Sequence, residues 1–177
     1  MFYKCTSLQS LNLINLVGKN VVRMSQMFEN CYKLINLDLS NFEASPRYMS
    51  TSFKNCHSLR TLRINKLKGG DALYPQCIFE NCYSLESLDL SSFTNEDSVN
   101  LDNMFKNCYS LTSINLSYLV TSRLLTMSSM FENCGKLVSL DISNFVTSNV
   151  DDMSNLFKNC SSLESLKINF DTHKVKQ

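Results

Sequence analysis

Cysteine is the residue type that first suggests chemistry in this chain, with 8 among 177 residues. At that density thiols serve a disulfide framework or zinc sites, and their spacing separates those roles. Seven stand at Cys5, Cys31, Cys56, Cys82, Cys108, Cys134 and Cys160, separated by 26, 25, 26, 26, 26 and 26 residues, with Cys77 outside the series. A constant period of this length marks stacked repeats, one cysteine to a coil. Equivalent residues of neighbouring coils lie about 4.7–4.9 Å apart with parallel side chains. A disulfide needs Cβ atoms about 3.5–4.5 Å apart and turned toward each other, and a straight row cannot wrap a tetrahedral zinc. The row is therefore expected to hold free, buried thiols in a slot for a small hydrophobe; disulfides along the row, or a metal, are the alternatives.

The other reactive residues form no catalytic set. His57 and His173 are the two histidines, the second in the charged segment 171–177. Cys77 has no histidine at a recognisable spacing and, beside Pro75 and Ile78, reads as a helix-face residue. Lys68-Gly69-Gly70-Asp71 reads as a turn, since the Gly-rich phosphate fingerprint is missing. Asp151-Asp152 suits a helix N-terminus and lacks calcium-loop spacing. No enzyme activity, cofactor or metal is expected.

The elements that position these residues follow from aligning the chain on cysteine. MFEN, SFKN, IFEN, MFKN, MFEN and LFKN precede Cys31, Cys56, Cys82, Cys108, Cys134 and Cys160, and MFYK precedes Cys5. After each cysteine comes L-x-x-L-x-[LI], as in Leu34, Leu37 and Leu39, the signature of a leucine-rich repeat. Its period of two predicts a strand with Leu37 and Leu39 inward and Asn36, Asp38 and Ser40 outward. Upstream, Met24, Met27 and Phe28 stand at i, i+3 and i+4, the face of a helix of one or two turns. Pro46 and Pro75 mark two less regular connections. The expected fold is an α/β leucine-rich-repeat solenoid over 1–170. It has about seven coils of 25–26 residues, a parallel β-sheet on one face, short helices on the other, and a charged tail at 171–177. Stacking is obligatory because one coil cannot offset its own conformational entropy.

Composition narrows function. Hydrophobic residues at 44% and charged residues at 19% exclude general disorder. A net charge of +1 lacks the basic footprint of a dedicated nucleic-acid binder. No stretch reaches the roughly 20 apolar residues of a membrane-spanning helix.

The repeat M-F-x-N-C-x-x-L-x-x-L-D-L-S-x-F, carried by MFENCYKLINLDLSNF (27–42) and MFENCGKLVSLDISNF (130–145), resembles the BspA-like leucine-rich-repeat surface proteins of the mycoplasma type. The resemblance covers 1–170. It implies an extended solenoid within a larger secreted or lipid-anchored protein, associated with adhesion or macromolecular binding, and offers no catalytic residues to carry over. The chain opens within a coil and carries no targeting signal, so a fragment of a longer array is expected. A surface location follows from the resemblance, while free thiols are compatible with the cytosol.

A second period runs through the first. The residue two before cysteine alternates as Glu29, Lys54, Glu80, Lys106, Glu132, Lys158. The outward strand position reads Asn12, Asp38, Arg63, Asp89, Asn115, Asp141, Lys167, and the apolar position after the strand alternates Leu and Phe (Leu16, Phe42, Leu67, Phe93, Leu119, Phe145). The sequence unit is thus two coils. Duplication of a two-coil segment explains three columns sharing one phase; complementary charge is the other reading. Candidate binding residues are Asp38, Arg63, Asp89, Asn115 and Asp141 on the sheet face, flanked by the row Ile14, Ser40, Asn65, Ser91, Ser117, Ser143, Asn169. A second set is Tyr32, His57, Tyr83 and Tyr109 along one edge. The expected function is a non-catalytic binding or adhesion module for a protein or glycan partner. The alternative is a structural solenoid, a spacer or one that self-associates end to end through uncapped terminal coils.

Overall fold

The structure is a computed structural model that describes residues 1–13, 15–68, 74–91 and 98–175. Ile14, Phe93 and the Gly69-Gly70-Asp71 turn lie outside the described residues.

The period-two segments pair in parallel, one coil apart. Strands β1 (Ser10–Leu11), β2 (Asn36–Asp38) and β3 (Thr61–Arg63) form one sheet in that order, with Leu11, Leu37 and Leu62 in register. Strands β4 (Ser139–Asp141) and β5 (Ser165–Lys167) form another, with Leu140 opposite Leu166. Between them, 87–89 and 113–115 keep the alternation of exposed and buried residues without ladder pairing. The Thr112 N–H donates to Glu86 O (3.2 Å) and the Val138 N–H to Thr112 O (3.2 Å) at the entrance to these segments. The chain is a repeat solenoid.

The short helices are a correction: among the described residues there are none. Each expected helix is a run of tight turns with two residues in left-handed backbone. These are Gln26 (φ 62°) with Asn30 (φ 64°), Thr51 with Asn55, Cys77 with Asn81, Asn103 with Asn107, Ser129 with Asn133, and Asn155 with Asn159. An L-residue at positive φ interrupts a right-handed helix. Amides then alternate in direction. Met27 N–H donates to Met24 O (2.9 Å) and Cys31 N–H to Phe28 O (3.2 Å), while Phe28 N–H crosses to Ser52 O (2.9 Å) and Asn30 N–H to Lys54 O (2.9 Å) in the next coil. Three-residue turns send Met24, Met27 and Phe28 inward at spacings that mimic a helix face.

The core is a set of columns. Phe2, Phe28, Phe53, Phe79, Phe105, Phe131 and Phe157 stack with centroids 5.2–5.9 Å apart and rings within 13° of parallel. Leu34, Leu59, Leu85, Leu111 and Leu137 are fully buried beside them. Phe42 lies over Gly18, where a Cβ would come within 2.4 Å of its ring, so the absence of a side chain at Gly18 leaves the space that Phe42 fills.

Candidate functional site

All eight cysteines are free. Each thiol of the row from Cys31 onward donates to the phenylalanine carbonyl of the preceding coil: Cys31 to Phe2, Cys56 to Phe28, Cys82 to Phe53, Cys108 to Phe79 and Cys134 to Phe105 at 3.2 Å, and Cys160 to Phe131 at 3.1 Å. Burial pushes the thiols of Cys56, Cys82, Cys108 and Cys134 far above their ordinary range, and that of Cys31 to about 11. Nucleophilic chemistry needs the thiolate, which this environment suppresses. Cys77 is not on a helix: it occupies the first left-handed position of its coil (φ 58°), and burial raises its thiol to about 11.

On the sheet face the carboxylates have local work. Asp38 accepts the Ser40 N–H (2.8 Å), Asp89 the Ser91 N–H (2.8 Å), Asn115 the Ser117 N–H (3.0 Å) and Asp141 the Ser143 N–H (3.1 Å). Each closes an Asx turn at the end of its alternating segment, two of which, β2 and β4, are strands. Bonds from the serine two residues on hold all three aspartates below the usual carboxylate range. The second carboxylate oxygens face cations: Arg63 lies 3.8 Å from Asp38 and Lys167 lies 3.3 Å from Asp141. Both pairs are largely exposed. Shallow, open depressions cover this face near Asp38 and Arg63 and near Asn115 and Asp141.

The edge row comes together as expected from its spacing, but as a continuous stack. Tyr32 and His57 lie 4.8 Å apart, His57 and Tyr83 4.4 Å, and Tyr83 and Tyr109 5.3 Å with a 37° tilt. The rings cover one another's faces and present their edges outward. Burial between its neighbours lowers the His57 pKa. An open depression lined by Gln9, Lys33, Ile35, Ser58, Arg60 and Ser84 runs beside this stack.

The Glu/Lys column makes real ion pairs. Lys54 meets Glu80 at 2.8 Å, and Glu132 is clamped between Lys106 (2.7 Å) and Lys158 (3.1 Å). Hydrogen bonding from Lys106, against opposing burial, brings Glu132 down to about 2. Glu29 is met by the Thr51 hydroxyl at 3.1 Å.

Two arrangements escaped the sequence reading. Asn30, Asn55, Asn81, Asn107, Asn133 and Asn159 form a ladder, in which each Nδ2 from Asn55 onward donates to the Oδ1 of the preceding coil's Asn at 2.6–2.7 Å. The recurrent Asn before cysteine was its signal, since Asn tolerates left-handed backbone. Arg23 lies over the Tyr48 ring at 4.5 Å, and Tyr48 stacks on Tyr74 at 5.8 Å. No regular motif announced that pair.

Beyond Phe170 the chain keeps contact with the stack: Asp171 N–H donates to the Thr147 hydroxyl (2.7 Å) and Lys174 Nζ to Asn149 (2.8 Å). Among the described residues, no three His, Cys, Asp or Glu side chains gather as metal ligands, and no helix is long and apolar enough to cross a membrane.

A family model described as "Mycoplasma protein of unknown function, DUF285" matches residues 1–116 and again 76–177. No curated protein matches the chain. Among solved structures, a leucine-rich repeat protein from Bacteroides ovatus ATCC 8483 matches with a TM-score of 0.42 and 21% identity, over 92% of this chain and 48% of that one. The chain thus spans about half the length of that relative.

Proposed function

Because the chain belongs to the DUF285 family of Mycoplasma proteins, we propose that it is a non-catalytic binding module. It would present an extended repetitive surface to a macromolecular partner, and the BspA-like motif supports display at the cell surface. The observation that carries this reading is the split of the molecule into an interior of columns and exposed rows repeated at coil spacing. Thiols and phenylalanines are consumed in the interior and the asparagines in a half-buried ladder beside it, while the sheet-face and edge rows stay accessible. Extended solenoid faces are where such proteins bind.

The structural alternative draws on the terminal coils, where Phe2, Cys5 and Leu8, and Phe157, Cys160 and Leu163, are only partly buried.

The experiment screens the chain against protein and glycan arrays beside two variants, Asp38→Lys/Asp89→Lys/Asp141→Lys and Tyr32→Ala/Tyr83→Ala/Tyr109→Ala. Loss of a partner in one variant supports the reading and selects the face. Concentration-dependent self-association with no array partner transfers the case to the structural alternative.

A further inference from the structure

Two independent features meet on the edge that carries the ring stack. The first is charge. Lys33 and Arg60 project into the depression beside Tyr32, His57 and Tyr83, and among the described residues neither has an ion-pair partner. The other lining groups are the hydroxyls of Ser58 and Ser84, the Gln9 amide and the half-exposed Ile35. A guanidinium among hydroxyls and an amide suits a carboxylate with neighbouring hydroxyl groups.

The second feature is where the stack stops. After Tyr109 the column continues as Gly135 and Ser161. A Cβ at Gly135 would have only the Ser161 hydroxyl within 4 Å, at 3.8 Å. Tyr109, 46% exposed, therefore ends the stack beside a vacant step of coil height. One further ring would continue it.

We infer that this edge binds an acidic oligosaccharide, with a carboxylate at Lys33 and Arg60 and a sugar ring beside Tyr109 over Gly135. Gly135 lies three coil steps from Arg60 and four from Lys33, roughly 15–20 Å, which calls for an oligosaccharide and not a single sugar. An extended peptide would seek unpaired strand edges or deep side-chain pockets, and this edge offers shallow hydroxyl-lined ground. The inference rests on the binding-module reading and names its partner class and face.

The test titrates the full chain with a hyaluronan hexasaccharide and a sialyl oligosaccharide, beside their carboxyl-reduced forms and a hexaglutamate peptide. At least one acidic sugar should bind with Kd below about 1 mM, and its reduced form should bind at least tenfold more weakly. Arg60→Gln and Gly135→Trp should each weaken binding at least tenfold without lowering Tm. Lys66→Gln, which removes the same charge elsewhere, should leave binding unaltered. No binding of either acidic sugar, equal loss in Lys66→Gln, or equal binding of hexaglutamate overturns the inference. An array partner lost only in the sheet-face variant would overturn it too, while leaving the binding-module reading intact.

Discussion

Cys77 shows how a single residue changes meaning with its backbone. Its column also holds Gln26, Thr51, Asn103, Ser129 and Asn155, all at positive φ. Asn relieves that strain better than Cys, because its short polar side chain bonds locally in the left-handed region. Cys77→Asn is expected to raise stability by about 0.5–1 kcal/mol, read as a higher Tm. Glu132 gives the pH-dependent case. Its side chain is 9% exposed between two lysines, and its pKa falls from 4.5 to about 2 on folding. A carboxylate with a depressed folded pKa stabilises fully above its unfolded value and loses that contribution as pH falls through the folded one. The contribution is at most about 3 kcal/mol, present above about pH 4.5 and gone near pH 2. Glu132→Gln should therefore lower stability at pH 7 and flatten its pH dependence between those limits, measured by urea unfolding across the acid range.

At the scale of the element, the turn run replaces the helix and hands half its amides to the next coil. Asn81 sits at the centre of that arrangement, donating to Asn55 and accepting from Asn107 at 2.6 Å each, with φ 63°. Asn81→Ala should cost about 2–4 kcal/mol, from two lost side-chain bonds and from losing the polar side chain that makes left-handed backbone tolerable for a residue with a Cβ. Asn81→Gly keeps the backbone geometry, so the difference between the two variants in chemical denaturation isolates the backbone share. The strand half of each coil was legible because alternation has one structural meaning. The other half was not, because spacings of three and four residues describe a helix face and a series of three-residue turns equally well. Only the choice of acceptor, the same coil or the next, separates them. The recurrent asparagine was a left-handed signal outweighed by the apolar spacing of Met and Phe.

For the whole molecule, the two-coil charge period becomes a rule about neighbours. Deleting 83–108 would place Glu80 directly beside Glu132, whereas deleting 83–134 would place it beside Lys158. Like charges on adjacent coils repel, and salt screens that repulsion. Tm should rise with added salt in the one-coil deletion and stay flat or fall in the two-coil deletion, followed by thermal melts at two ionic strengths. The seven-fold cysteine period, the inward leucines and the two-coil phase were all determined by the sequence alone, because each is a one-dimensional regularity that any stack must obey. The candidate rows were legible as rows, but their duties were not. The sheet-face aspartates close turns with serines two residues away, and the aromatic row stacks into a column that ends beside an empty glycine step. Those outcomes depend on which group of the next coil lies within about 3–5 Å. That distance is set by how coils stack in three dimensions, and no count along the chain contains it.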